Sequence, residues 1–396
     1  MGTLRTPSDE LEPVAAPQPP SRSRQARNRL VVALNAIVSL MVFVAVLASG
    51  VVYFGKQRFE EAGPLQQSRS VIVREGSALT RIAEQLQASG VIDSDLIFRA
   101  GVRAYGAQSA MKPGEYAFQP GVSMYEVMDA IRSGRGVIHK LTFPEGMTTK
   151  QIFDKLAADE VLVGELPKDT PVEGTLFPDT YPFQRGTTRD EIVKQMMRAN
   201  QRIVSEVWEK RDRDLPIKDQ FEFVTLASIV EKETGKADER PRVAAVFLNR
   251  LEKGMRLQSD PTILYGLFGG DGRPAERSIL QSDLERPTPY NTYLIDGLPP
   301  GPIANPGKAA LEAVANPART NDLYFVADGT GGHAFAETLE EHNENVKRWR
   351  IVERRLQEDA AKKASAAASE ENGADDVVQP DVGGSPDQDG EPEASQ

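Results

Sequence analysis

The pattern of hydrophobic and polar positions first sets one segment apart from the rest. From Leu30 to Gly55 the chain is uncharged, and Asn35, Ser39 and Ser49 are its only clearly polar residues. At 1.5 Å per residue, a helix over this run spans roughly 39 Å, more than the roughly 30 Å hydrocarbon core of a bilayer. The run is too long for the apolar centre of a secretory signal peptide and reads as a membrane-spanning helix. Arg22, Arg24, Arg27 and Arg29 precede it, while only Lys56 and Arg58 follow closely. The more basic flank stays in the cytoplasm, so everything beyond Lys56 is expected on the outer side.

After a polar spacer to Ser70, the pattern changes to short apolar strands alternating with amphipathic helices, and it occurs twice. Val71-Ile72-Val73-Arg74-Glu75-Gly76 followed by Ile82 and Leu86 matches Leu141-Thr142-Phe143-Pro144-Glu145-Gly146 followed by Ile152 and Leu156. Val91-Ile92 then corresponds to Val161-Leu162. Tyr116, Phe118, Gln119, Gly121, Glu126 and Val127 correspond to Tyr181, Phe183, Gln184, Gly186, Glu191 and Ile192. Each unit predicts a strand, a turn at Glu-Gly, a helix, an aromatic strand ending in a glycine turn, and a second helix. So many matches in register point to tandem units of one topology.

The second unit leads into a more helical region. Thr188 with Glu191 forms a capping box that opens a long amphipathic helix to about Lys210. Further helices are predicted over Phe221 to Thr234 and over Pro241 to Leu251, with proline tolerated in the first turn. Residues 258–306 are rich in Pro, Gly, Asn and Tyr, and a long irregular stretch of this kind usually builds a binding surface. Tyr324-Phe325-Val326 and His333-Ala334-Phe335 flank Asp328-Gly329-Thr330-Gly331-Gly332 as a hairpin. Thr338 and Glu341 then cap a final helix to about Leu356.

Composition changes this picture at the two ends. The net charge of -11 looks strongly acidic, but Glu358 to Gln396 alone holds eleven acids against two lysines. The body is therefore near neutral, which argues against nucleic acid as a partner. Residues up to Pro20 and those beyond Leu356 are too poor in apolar side chains to order themselves. Absence of cysteine excludes disulfides, zinc-thiolate sites and thiol nucleophiles. The expected order is a stub (1–29), a membrane helix (30–55), a linker (56–70), the first unit (71–140), a mixed α+β domain (141–356) and an acidic tail (357–396).

The candidate chemistry lies mostly in carboxylates. His139, His333 and His342 do not share a helix face, so surface or hairpin-packing roles are expected of them rather than a metal site. No nucleophile elbow and no phosphate-cradling glycine loop is present. These features leave acid–base work without a cofactor. Glu231 and Glu233 close an apolar helix and point about 200° apart, so both cannot enter one cleft. The helical wheel places each on a border of the apolar arc and does not choose between them. Both could equally be solvated beside Lys232. Glu173, in Val172-Glu173-Gly174-Thr175-Leu176-Phe177-Pro178-Asp179-Thr180-Tyr181, sits in a loop that reads either as a sugar-contacting segment or as a structural turn. Gln258, Ser259 and Asp260, together with Tyr290, Asn291 and Tyr293, supply the amides, hydroxyls and ring faces that carbohydrate sites use.

Five strings in this order, behind one apolar helix, resemble the MltG/YceG family of endolytic murein transglycosylases. They are EGTLFPDTY, LASIVEKET, VFLNRLEKGMRLQSDPTILYG, YNTYLIDGLPPGPIANPG and YFVADGTGGHAF. The resemblance covers roughly residues 30–350. It implies an α+β fold with a LysM-like subdomain over 71–140 and a catalytic domain whose active-site helix is like that of lysozyme-type enzymes. In such enzymes a small hydroxyl residue follows the catalytic Glu, so Glu233-Thr234 favours Glu233 over Glu231. Glu173, Gln258, Asp260, Tyr290 and Asn291 are then the expected substrate-binding residues.

The implied reaction is lytic cleavage of the MurNAc-β-1,4-GlcNAc bond in nascent peptidoglycan. It leaves 1,6-anhydro-MurNAc ends, terminates strand elongation and needs no cofactor. A single-pass protein of the inner membrane with a periplasmic catalytic domain is implied, with glycan strands and peptidoglycan synthases as expected partners. Two rival readings are a hydrolytic muramidase using Glu233 with Glu173 or Asp260, and a non-enzymatic glycan-binding scaffold.

Overall fold

A computed structural model describes residues 29–274 and 279–373, with side chains in the last helix described as far as Lys363. The chain is mixed α+β and divides into two compact units between Val137 and Ile138. The expected stub and the end of the acidic tail lie outside the described residues, as do Arg22, Arg24 and Arg27.

The first unit begins with α1 (Arg29–Glu60), whose apolar run is exposed apart from the half-buried Gly50 and Gly55 and is long and apolar enough to cross a membrane. β1 (Arg69–Val73), α2 (Leu79–Ala88), α3 (Asp95–Ala104), β2 (Gly114–Phe118) and α4 (Met124–Ser133) follow. In the second unit, β3 (Ile138–Thr142), α5 (Thr149–Ala158), β4 (Thr180–Gln184) and α6 (Arg189–Glu209) repeat the pattern.

The duplication read from the sequence extends to strand register. β1 and β2 pair antiparallel with Val71 opposite Tyr116, and β3 and β4 pair antiparallel with Leu141 opposite Tyr181. Gly76 and Gly146 both turn at positive φ, and so do Gly121 and Gly186, where a side chain would be strained. Ile82 and Leu86 are buried in one unit and Ile152 and Leu156 in the other, the i, i+4 stripe that docks each first helix on its hairpin. Capping boxes open α4 at Ser123 and α6 at Thr188. The units differ in the link between first helix and second strand, which forms α3 in one and an irregular loop in the other.

The spacer expected over 56–70 is not free. α1 continues to Glu60, Phe59 is only 2% exposed, and Leu65 is buried with it in the first unit's core. The apolar helix thus runs straight into a packed module.

The helical body is α7 (Gln220–Glu233), α8 (Arg240–Glu252), α9 (Asp260–Phe268), the short α10 (Gln281–Leu284) and α11 (Lys308–Ala315). Phe223 to Val230 of α7 are all buried, packed against α8 and α11. α9 lies inside the stretch expected to be irregular. Asp260 in its first turn, Pro261 pre-set for a helix start and the apolar Ile263 and Leu264 explain its formation. β5 (Tyr324–Ala327) and β6 (His333–Ala336) form the expected hairpin. α12 (Leu339–Gly373) has the expected Thr338 cap but continues well past Leu356. Beyond Val352 its described side chains are exposed, so it is held by the helix propensity of Ala, Glu, Lys and Arg rather than by burial.

Candidate functional site

The buried helix α7 emerges from the core at its C-terminal end, and there its two glutamates part. Glu231 and Glu233 are both only partly exposed, so the solvated last turn is not what the chain adopts. The Glu231 carboxylate accepts from the Gly307 backbone N–H at 3.1 Å, at the start of α11. Lys232 reaches the Gly146 carbonyl at 3.2 Å. Burial, with help from the nearby Glu145 charge, raises the Glu231 pKa against the opposing bond from Gly307. Glu231 therefore braces α7 against the start of α11, and Lys232 braces it against the second repeat's Glu-Gly turn.

Glu233 points the other way, toward the 258–262 segment. Ser259 Oγ donates to Glu233 Oε1 at 2.5 Å. Protein surrounds the carboxyl, yet part of the residue's surface stays accessible. Burial pushes its pKa up to about 7, with Asp260's negative charge adding to the rise and the Ser259 bond and Arg250 opposing it. At neutral pH this group is therefore near half protonation, the condition suited to giving and taking a proton. Oε1 is occupied by Ser259, and among the described residues Oε2 has no hydrogen bond.

The segment that presents Ser259 is held tightly. Gln258 has φ 52, the one positive-φ non-glycine among the described residues. Its backbone N–H donates to the Thr292 carbonyl at 3.1 Å, and the Ser259 N–H donates to Thr292 Oγ1 at 2.9 Å. Thr262 and Thr292 hydroxyls meet at 2.8 Å. Buried Arg250 clamps the segment from beneath, donating to the Leu257 carbonyl at 2.7 Å and the Leu323 carbonyl at 2.6 Å. A strained residue fixed from both sides is a common device for aiming a neighbouring side chain, here Ser259.

Asp260 is exposed beside this pair and accepts from the Tyr293 hydroxyl at 2.7 Å. Gln258, also exposed, borders it. Glu173 belongs to a second polar cluster. Its Oε1 accepts from Thr149 N–H at 2.7 Å, Thr149 Oγ1 at 3.0 Å and Asn305 Nδ2 at 2.9 Å, and its Oε2 accepts from Tyr265 Oη at 3.1 Å. Burial raises the Glu173 pKa, while these bonds oppose the rise. Tyr290 packs edge-on to Tyr265 at 4.8 Å and so joins the Glu173 group rather than the Glu233 group. Asn291 is 0% exposed. Its amide donates to the Leu284 and Arg286 carbonyls, and its oxygen accepts from the Tyr293 N–H, so it staples the loop that presents Tyr293.

Several contributors carried little signal of their own. Ser259 and Tyr293 stood in the quoted motifs, but the partner each finds depends on tertiary structure. Asn305 bonds Leu176, Met147, Thr149 and Glu173 across long sequence separations. His333 has its Nδ1 at 2.8 Å from Glu239, whose other carboxyl oxygen takes the His333 backbone N–H at 3.2 Å. A side chain at Gly332 would collide with that same carboxylate. His333 packs edge-on to Phe325, as expected of a hairpin residue, but it also lines a cavity of about 370 Å³ shared with Glu233 and Trp349. Among the described residues, no group of three or more His, Cys, Asp and Glu could hold a metal ion.

The sequence pattern of the YceG-like family matches residues 71–348, which include both repeats and all of the clusters above. The chain belongs to this family. A relative from Bacillus subtilis named endolytic murein transglycosylase is 32% identical over 334 residues, covering 75% of this chain and 89% of the relative. A relative of the same name from Streptococcus pneumoniae is 30% identical over 360 residues, covering 78% of this chain, and this chain spans 64% of that protein's length. A crystal structure of a YceG-like protein from Listeria monocytogenes shares 30% identity, covers 70% of this chain and 98% of the other, and superposes with a TM-score of 0.45.

Proposed function

We propose that this chain is an endolytic lytic transglycosylase of peptidoglycan, cutting MurNAc-β-1,4-GlcNAc bonds with Glu233 as both acid and base. The observation that carries the reading is the Glu233 carboxyl at the end of buried α7, in a residue that is part-exposed, with Oε1 held by Ser259, no hydrogen bond to Oε2 among the described residues, and burial lifting its pKa to about 7. Protonated Glu233 gives its proton to the glycosidic oxygen as positive charge develops on the MurNAc ring. The bond from C1 to that oxygen breaks, and the GlcNAc leaves with the proton. Ionised Glu233 then takes the proton of the MurNAc C6 hydroxyl as O6 bonds to C1. The ring closes as a 1,6-anhydro sugar, no water is consumed, and Glu233 ends protonated as it began. Burial favours the neutral form at the first step, and the Ser259 bond steadies the carboxylate between the two.

Asp260, Gln258 and Tyr293 border the reacting ring in this reading, and Asp260's negative charge favours the oxocarbenium-like centre. Glu173 and Tyr290 form a neighbouring cluster that orders the strand's path, and Asn291 acts through the loop it holds. The apolar helix fits a single-pass membrane anchor. The basic flank before it supports a cytoplasmic N-terminus, with both units facing nascent strands on the outer side of the inner membrane. Work on strands still being made would end their elongation close to the synthases. The strand–helix–helix–strand order of the first unit supports a LysM-like glycan-binding role, and the buried α7 that ends in Glu233-Thr234 supports a lysozyme-like active-site helix.

Mass spectrometry of purified glycan strands treated with the full-length protein tests this. New ends should lack one water relative to reducing ends. E233Q should reduce their release by at least about a hundredfold, the scale of a lost general acid. Reducing ends from the wild type would mean hydrolysis with Asp260 in a nucleophile or base role. Full activity of E233Q with loss in E231Q would move the chemistry to Glu231.

A further inference from the structure

The outer end of α1 meets α3 in a way that a protein facing only water would not need. Phe59 of α1 packs at 6.3 Å from Phe98 and 5.8 Å from Tyr105, and a side chain at Gly101 would collide with the Phe59 ring. This docking fixes α3 at the height of the last apolar turns of α1. Between the two helices runs a groove of about 560 Å³, lined by Val51, Val52 and Gly55 on one side and Leu96, Ile97 and Ala100 on the other. The first three residues belong to the uncharged run that crosses the bilayer, so the groove opens at membrane level.

α3 carries an exposed apolar stripe beside its charged one, where Asp95 and Arg99 pair at 2.6 Å and Arg103 follows. Phe98 and Val102 are buried in the unit's core, while Leu96 is 68% exposed and Ala100 and Ala104 are exposed on the outward side. The buried Phe98–Val102 face already satisfies the core, so the exposed Leu96–Ala100–Ala104 stripe is a second apolar surface, and with the charged stripe beside it the helix has the make-up of one lying in a membrane interface. Tyr53, Tyr105 and Tyr125, all exposed, stand at this level with Lys56 and Arg103. Aromatic rings and long cationic side chains in one band are the composition of a membrane–water boundary.

We propose that α3 and the outer turns of α1 form a platform that seats the first unit in the membrane interface, with lipid acyl chains filling the groove between them. Leu96 and Ala100 lie among the upper acyl carbons, and Arg103 and Lys56 lie at the phosphates. The first unit is thereby held flat at the bilayer rather than swinging on a tether. This inference rests on the anchor and is independent of the reaction assigned to Glu233.

The chain has no cysteine, so single labels report single positions. L96C and A100C are each coupled to an environment-sensitive fluorophore in the full-length protein, reconstituted in phosphatidylcholine–phosphatidylglycerol vesicles. E84C, on the exposed side of α2, is the control. Labels at 96 and 100 should emit to the blue of the control and be quenched at least about twofold by lipids with a nitroxide high on the acyl chain, as expected for interfacial burial. The label at 84 should be unaffected. Water-like, unquenched emission at both 96 and 100 overturns the proposal. Blue-shifted emission that lipid nitroxides do not quench also overturns it and assigns the groove to a protein partner or a second copy.

Discussion

The two repeat units share strands, register, turn glycines and buried helix stripes, and they differ in the link between first helix and second strand. In the first unit that link folds into α3, which closes the core with Phe98 and Val102 and packs against α1. In the second it stays irregular and delivers Glu173 to Thr149, Asn305 and Tyr265. The same hairpin-and-helix scaffold has thus been used once to build a platform and once to support a polar cleft. The scaffold repeats because its apolar stripes are needed in both units, whereas the link has diverged in what it packs, the buried Phe98 and Val102 in one unit and the polar Glu173 cluster in the other. Function is written where the duplication fails.

The sharpest break in this comparison is at Glu173. E173A removes the acceptor shared by four donors in a part-buried site, and it should cost about 2–4 kcal/mol in denaturant-midpoint measurements, by analogy with other buried networks broken on one side. A loss under about 0.5 kcal/mol, the usual size for a surface change, would make the second link as dispensable as an ordinary loop.

The next effect concerns Glu233 and has a definite sign. Its folded pKa of about 7 lies above the ordinary glutamate value of 4.5. The folded state therefore holds a proton that the unfolded chain has already lost between these values, and wild-type stability falls as pH rises through that window. E233Q has no such group. It should match the wild type near pH 4, gain stability as pH rises from about 4.5 to 7, and level off above with a gain of at most roughly 3 kcal/mol at 1.36 kcal/mol per unit. Melting curves across pH check this, and a variant less stable than wild type at pH 8 would contradict it.

The smallest of the three effects lies in the first unit. G101V places a branched side chain against Phe59 and should destabilise that unit by about 1–3 kcal/mol, the range for overpacking. Hydrogen exchange should quicken in α2 and α3 and stay unchanged in α7. Equal acceleration in both would mean that the two units do not melt separately.

Much of the fold was legible because it rests on local patterns. The 3.6-residue stripes gave α6, α7 and α8 to within a residue or two, and the matched Tyr116 and Tyr181 anticipated the shared strand register. α9 is hidden in the irregular pattern of 258–306 because Asp260-Pro261 punctuates loops and helix starts alike. α12 outruns its expected end at about Leu356 because the alanine-rich charged run beyond it buries little and persists as an exposed helix on propensity alone. The spacer over 56–70 looked polar because Phe59 and Leu65 are isolated apolar residues among charges, and only the fold brings them to the core.

The site was legible in its parts and not in its grouping. Helical geometry separated Glu231 from Glu233 but could not say which faced a cleft, since Gly307 and Ser259 come from distant segments. Tyr290 and Asn291 are neighbours in sequence, yet one stacks beside Tyr265 and the other is sealed inside its loop. His333 carries no catalytic spacing, and its place in the cavity that Glu233 also lines follows from the hairpin and Glu239 together.

The central claim is that a single buried carboxyl is held near half protonation at neutral pH. Titration of the Glu233 side-chain carboxyl carbon by NMR, assigned through its absence in E233Q, measures this directly. A midpoint near pH 7 agrees with Glu233 as donor and then acceptor. A midpoint near that of an ordinary glutamate, about 4.3, would leave it ionised at neutral pH and contradict the account.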